Sequence, residues 1–287
     1  IIRKGNGEFD LAEMFFVRYT YPEKANLYFR MHGHANFGSG GEPHDVINMI
    51  KKHGMVPETA YSGMQIGENK HKHKEMDKVL KAILDVIIKN PNRKVTPVWP
   101  QVIESTLDIY LGKVPGEFKF QGKSYTPHSF AKEMDINPAD YVEITSYNHH
   151  PFYSSFSLEI PDNWSHELLY NVPMEDLMQI IDNSLESGYS FVWAADMSDK
   201  EFDQKKGVAL LPVKAWEDKS DSEKDSTFNG NELEIEVTQE FRQKTFNNYK
   251  TTDDHSMHVI GISKDQRGNK FYLIKNSWGK KEWRWKY

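Results

Sequence analysis

The sequence predicts an α+β chain in which amphipathic helices precede a C-terminal β-hairpin. Two observations carry that prediction: apolar residues recur at helical spacing in three separate segments, and two runs of strand-favouring residues flank a polar turn near the C-terminus. No internal repeat of fixed period is visible, so repeat architectures are set aside.

The first helix is predicted over Gly41–Gly54, with Pro43 in its first turn, Val46, Met49 and Ile50 on one face, and Gly54 as a left-handed stop. A second spans Met76–Asn90, with Val79, Leu80, Ile83, Leu84 and Ile87 inward, Lys89 in the last turn and Pro91 ending it. From Pro91 to about Pro173 the chain is rich in Pro, aromatic and turn residues. Examples are Thr96-Pro97-Val98-Trp99-Pro100 and Asn148-His149-His150-Pro151-Phe152-Tyr153. A third helix follows over Met174–Ser187, with Leu177, Ile180, Ile181 and Leu185 as its stripe and Gly188 as its stop. The polar run Glu217–Asp225 has no periodicity and reads as an exposed loop.

The hairpin carries the chemistry. Thr252–Gly261 and Phe271–Gly279 are rich in strand-favouring residues, and Asp265-Gln266-Arg267-Gly268-Asn269 between them is turn chemistry. Folding about Arg267 brings His255 opposite a residue near Asn276, within reach across a strand pair. An Asn oxygen there accepts from one imidazole nitrogen and leaves the other to face a nucleophile. On residue types alone, such a pair is more often a satisfied polar contact than a catalytic one. His258, three residues on, points to the other face and is assigned to structure.

Composition bounds the partners. The chain has 287 residues, 27% of them charged, and a formal charge of −6, which argues against a nucleic-acid binder that works by neutralising phosphates. Mean hydropathy is −0.70, and no apolar run approaches the length needed to span a bilayer. There is no Cys, so disulfides and thiolate metal sites within these residues are excluded, and the redox compartment stays open. His71 and His73 sit among lysines that repel a cation. His149 and His150 are adjacent on an extended chain and are expected to point opposite ways. Neither cluster is assigned a metal, and no cofactor is expected.

The wording around His255 and Asn276 resembles the papain superfamily, above all the string Lys275-Asn276-Ser277-Trp278-Gly279. The likeness extends to Asp10–Val17, Arg30–Gly33, Ser39-Gly40-Gly41, Gly54–Glu58 and Tyr189–Asp196, which resemble segments of bleomycin hydrolase and bacterial aminopeptidase C. It implies a papain-like two-lobe fold, a helical lobe plus an antiparallel β-barrel lobe with a large insertion. Residues 1–65 would be the remainder of the helical lobe, 66–172 the subfamily's insertion, and 173–287 the barrel lobe. Catalytic roles are implied for His255 and Asn276, with Trp278 shielding their hydrogen bond and Gly40 and Gly41 offering backbone to an extended peptide substrate across a cleft. The insertion, with aromatics such as Trp99, Tyr110, Phe152, Tyr153 and Trp164, implies a homo-oligomer.

The family's nucleophile is a Cys in a Gly-Thr-Cys-Trp string, on a helix whose tail Ile1–Gly5 resembles. It is therefore expected upstream of Ile1. Three readings remain open: a thiol aminopeptidase whose nucleophile lies outside these residues, a non-catalytic papain-like binding or scaffold protein, and a metal-dependent hydrolase using the His clusters, which their spacing disfavours. The short C-terminus leaves exopeptidase against endopeptidase character undecided.

Overall fold

The computed structural model describes residues 1–67, 70–90, 94–198, 200–227 and 232–277. The chain is α+β and divides into two compact units, Ile1–Glu143 with Ser157–Leu168, and Ile144–Phe156 with Leu169–Tyr287.

The first unit is mainly helical: α1 (Glu13–Arg30), α2 (Pro43–His53), α3 (Lys74–Ile88), α4 (Trp99–Leu111), the hairpin β1 (Phe118–Phe120) and β2 (Lys123–Tyr125), and α5 (Pro127–Glu133). Helix α3 buries Met76, Leu80 and Leu84 completely, with Val79, Ile83 and Ile87 half-buried beside them, which is the expected face. Helix α2 ends at Gly54 as expected, but with φ 77° and ψ −151° the residue adopts an extended positive-φ conformation rather than the left-handed helical one. Its buried face differs from the expected one, because Val46 is 41% exposed whereas His44 and Asp45 are buried with Met49 and Ile50. Polar partners described below make that burial possible.

The sequence reading did not identify α1, α4 or α5. In α4, Ile103, Leu107 and Leu111 stand four apart and are all buried, a spacing masked by the surrounding proline and aromatic residues. Trp99 at its start stacks on Phe29 of α1, with ring centroids 4.7 Å apart. Arg18 of α1, itself 6% exposed, makes ion pairs with Glu104 and Asp108 of α4. That charge is buried but paired, so it ties two helices together without an orphan cation.

The second unit starts with β3 (Ile144–Thr145), β4 (Ser154–Ser157) and β5 (Leu168–Asn171), in the order β3-β5-β4, with β3 parallel to β5. Then come α6 (Met174–Glu186), β6 (Phe191–Ala195), the two-residue strands β7 (Phe202–Asp203) and β8 (Val208–Ala209), α7 (Asp221–Ser226), α8 (Gln239–Asn247), β9 (His255–Lys264) and β10 (Lys270–Lys275). The stripe of α6 is shallower than expected: no residue of this helix is fully buried. Within the polar run read as a loop, Ser220 accepts from the Glu223 N–H while the Glu223 carboxylate accepts from the Ser220 N–H, which starts the short helix α7. Strands β10, β9 and β6 form an antiparallel sheet in that order. Among the described residues this sheet is open and does not close into a barrel.

Both units use one buried Asn to hold irregular chain. Asn171, fully buried, donates to the carbonyls of Tyr147, His150 and Pro151 and accepts from the Tyr147 N–H at 2.9 Å. Asn163, 1% exposed, donates to the Leu158 and Glu167 carbonyls and accepts from the Glu167 N–H at 3.0 Å. Each satisfies backbone groups that no helix or ladder reaches.

Phe130 of α5 tests the core of the first unit. Its fully buried ring meets Phe118, Phe120 and Tyr125 edge-on, at centroid distances of 5.4, 5.3 and 5.4 Å. Phe130→Ala is expected to cost about 3–5 kcal/mol in urea denaturation, and Phe130→Leu clearly less, because the cavity is smaller.

Candidate active site

His255 opens β9, where alternation sets its direction. Met257 and Val259 are 3% exposed, whereas Ser256, His258 and Ile260 face out. His255 shares the inward parity and pairs with Ala195 of β6. Against β10 the ladder is centred on Arg267, as predicted, from Lys270↔Lys264 to Leu273↔Gly261. A bulge at Ile260 then shifts it by one residue, giving Ile274↔Val259 and Lys275↔His258. Continuing that register puts Asn276 beside Met257 and diagonal to His255, on the same face. The contact is therefore diagonal rather than directly opposite.

The His255 Nε2 lies 2.9 Å from the Asn276 Oδ1. The Ser277 N–H donates to the same oxygen at 2.7 Å, so oxygen rather than nitrogen must face the imidazole. Nε2 therefore carries the proton and donates. The Asn276 Nδ2 points to the Met197 sulfur at 4.0 Å, which completes the orientation of the amide. Such an arrangement holds an imidazole in one plane and one tautomer. Trp278 lies outside the described residues.

The segment that follows β6 is tied to the segment that precedes β9. The Asp196 carboxylate accepts from Thr252 and Ser198, and the Asp254 carboxylate accepts from the Met197 N–H at 2.8 Å. Burial pushes Asp196 up, but the hydrogen bonds from Ser198 and Thr252 outweigh it and hold the carboxyl below its ordinary value.

Gly40 and Gly41 lie in the first unit, just before α2. Their φ values of 105° and 155° favour glycine, and a Cβ at Gly40 would sit 2.8 Å from the Asp162 carboxylate. One at Gly41 would overlap Asp45. The need for glycine here thus comes from the chain's own carboxylates, whereas the sequence reading rested it on close approach by another backbone. Lys24, 2% exposed, donates to the Gly38 and Gly40 carbonyls and so fixes the loop from the other side. Burial holds Lys24 below the ordinary lysine value, against the opposing charges of Asp45, Asp162 and Asp77.

This loop is backed by a polar cluster that the sequence reading missed. Trp164 Nε1 donates to Asp45 Oδ2 at 2.7 Å, His44 Nδ1 meets Glu143 Oε2 at 2.6 Å, and His44 Nε2 meets Ser165 Oγ at 3.1 Å. Its members come from three separated stretches, so no local pattern announces them. The two other histidine clusters make ring contacts. His149 and His150 lie in a turn and both rings converge on Phe156, with their own centroids 4.5 Å apart; the extended-chain argument for opposite directions therefore does not hold there. His71 and His73 neighbour each other at 5.3 Å, with burial and then His71 lowering the His73 pKa.

The profile of the Peptidase C1-like family matches residues 115–285, more than half of the sequence. The chain belongs to that family. Within it, the chain is 24% identical over 277 residues to aminopeptidase G of Lactobacillus delbrueckii subsp. lactis, covering 88% of this chain and 59% of the relative. It thus spans well under two thirds of that relative's length. The fold resembles crystalline PepW of Lactobacillus rhamnosis HN001, with a TM-score of 0.70 at 16% identity, over 97% of this chain and 68% of PepW. The family match agrees with the papain-superfamily resemblance of the sequence.

Two outcomes check the first-unit geometry. Gly40→Ala should destabilise by about 1–3 kcal/mol in urea, since it adds both a strained φ and a clash. The His44–Glu143 pair has a definite pH signature. Burial lowers the His44 pKa, but Glu143, then Asp45 and Glu167, more than reverse this and raise it overall. Its stabilisation is thus complete below the ordinary histidine value and is lost as the pH rises through the raised folded value. The stability gap between wild type and Glu143→Gln should narrow across that window.

Proposed function

We propose that this chain supplies the His–Asn half of a thiol aminopeptidase that cleaves peptide bonds by acyl transfer. The observation that supports it most is the Nε2–H of His255 held at 2.9 Å by an Asn276 oxygen that the Ser277 N–H also fixes. With Nε2 committed, Nδ1 is the nitrogen assigned to the nucleophile.

These 287 residues contain no Cys, so the thiol must come from outside them. In the assembled site His255 takes the thiol proton, and the thiolate attacks the substrate carbonyl. The tetrahedral intermediate collapses as His255 gives that proton to the leaving amine. Water, deprotonated by His255, then releases the acid and regenerates the thiol. Asn276 holds the ring through both halves. By family analogy the oxyanion donors, a Gln side chain and the N–H of the Cys, also lie outside these residues.

The same reading gives Gly40 and Gly41 the task of pairing with the substrate main chain. The backbone N–H and C=O of Gly41 have no hydrogen-bond partner among the described residues, and Lys24 keeps the loop in shape. In this account the sheet of β6, β9 and β10 is part of a barrel lobe, residues 1–65 belong to a helical lobe, and 66–172 form the subfamily's insertion, which mediates a homo-oligomer. The lack of Cys supports one alternative, a papain-like binding or scaffold protein that acts on no bond.

A protein extended upstream to include a Gly-Thr-Cys-Trp-like segment should hydrolyse aminoacyl fluorogenic amides and lose that activity to iodoacetamide, while the 287-residue chain stays inert. In the extended protein His255→Ala should lower kcat/KM at least about 10³-fold, and Asn276→Ala by less, because it only disorders the ring. If the natural upstream sequence has Ser, Ala or Gly in place of the thiol and the extended protein binds peptide without turnover, the scaffold reading replaces this one.

A further inference from the structure

The chain leaving β6 touches both members of the His255–Asn276 pair. Ala195 is the ladder partner of His255, and its carbonyl also accepts from the Asp254 N–H at 3.2 Å. Asp196 Oδ2 accepts from the Thr252 N–H at 2.6 Å and its hydroxyl at 3.1 Å, while Oδ1 accepts from the Ser198 N–H at 2.8 Å and its hydroxyl at 2.6 Å. The Met197 N–H donates to Asp254 Oδ1 at 2.8 Å, and the Met197 sulfur receives the Asn276 Nδ2 at 4.0 Å.

We propose that Asp196 is a positioning residue for this site: its carboxylate clamps the Thr252–Asp254 approach to β9 and thereby fixes where the His255 imidazole meets Asn276. The inference rests on the proposed role of the His–Asn pair. Three features make Asp196 the centre of the clamp. One carboxylate collects four donors, two from each of the segments it joins. Those segments run directly into Met197 and His255. A hairpin ladder alone leaves the first residue of a strand free to fray, and His255 is the first residue of β9. Asp196 works through Thr252 and Met197 and touches neither ring nor amide of the pair.

The test reads the imidazole itself in the ¹⁵N-labelled 287-residue chain. Wild type should give a protected His255 Nε2–H signal with Nδ1 unprotonated. Asp196→Ala should raise the Nε2–H exchange rate at least about tenfold or abolish the signal, with far-UV circular dichroism and the His258 ring signals unchanged. Thr252→Val, which keeps the N–H but loses the hydroxyl, should give a smaller rise. It and Asp196→Asn carry the test if the alanine variant does not fold. Asn276→Ala separates the two claims: if it leaves the Nε2–H protected, the His–Asn reading fails. If it exposes the proton while folded Asp196→Ala and Asp196→Asn leave it as protected as wild type, the positioning role is wrong. In the thiol-bearing extended protein, Asp196→Ala should lower kcat with KM unchanged; a rise in KM alone would also overturn the proposal.

Discussion

The antiparallel register of β9 decides which side chains of the second unit can meet. A strand offers alternate residues to each face, so a slip of one residue would turn His255 outward and bring His258 in. The Met257 and Val259 side chains oppose that slip, since each would lose its buried position. The bulge at Ile260 matters for the same reason. It absorbs one residue on β9 and leaves Asn276 diagonal to His255, a separation that an imidazole and a carboxamide can bridge at hydrogen-bond length.

Burial is distributed unevenly between the units. In the first, Phe15, Met49, Met76, Leu80, Leu84, Leu107 and Phe130 belong to one continuous apolar cluster. In the second, α6 has no fully buried residue, and order around the candidate site rests on polar ties. Gln239 accepts from Ser146 and Met174, Gln243 from Asn148, and Arg242 donates to the Ser146 carbonyl, which docks α8 on the stretch after β3. Lys270 and Tyr272 of β10 both reach Asp182 of α6. Such contacts each contribute only about 0.5–1.5 kcal/mol net, but they are directional, and direction is what an imidazole partner needs.

The sequence revealed those parts of the fold whose signal is local. Helices α2, α3 and α6 follow from apolar spacing with Gly or Pro at their ends, and the hairpin centre at Arg267 follows from turn chemistry flanked by strand formers. Helix α4 has a readable stripe in Ile103, Leu107 and Leu111, but Pro97, Pro100 and the neighbouring aromatics overlay it with turn chemistry. Val46 was placed inward because apolar residues usually are; His44 and Asp45 took that side because Glu143, Ser165 and Trp164, more than ninety-five residues away, satisfy them. The His255–Asn276 pair was legible because both residues lie on one hairpin. The Asp196 clamp was not, since a carboxylate at a strand end has no spacing rule that names Thr252 as its partner.

The donors around Asp196 also set the pH range over which the clamp holds. Burial acts to raise the Asp196 pKa, but the donors from Ser198 and Thr252 overcome it and keep the group below the ordinary carboxylate value. A carboxyl with a depressed folded pKa contributes stability above its unfolded pKa and loses it as the pH falls through the folded one. That window lies well to the acid side of the range in which an ordinary histidine changes charge. The approach to β9 therefore stays clamped throughout the neutral range. A clamp built from a histidine would itself titrate near neutrality, and one built from an exposed ion pair would weaken with salt. Placing a donor-saturated carboxylate at the end of β6 is thus a physically sufficient way to hold the Thr252–Asp254 segment, and with it the start of β9, in place.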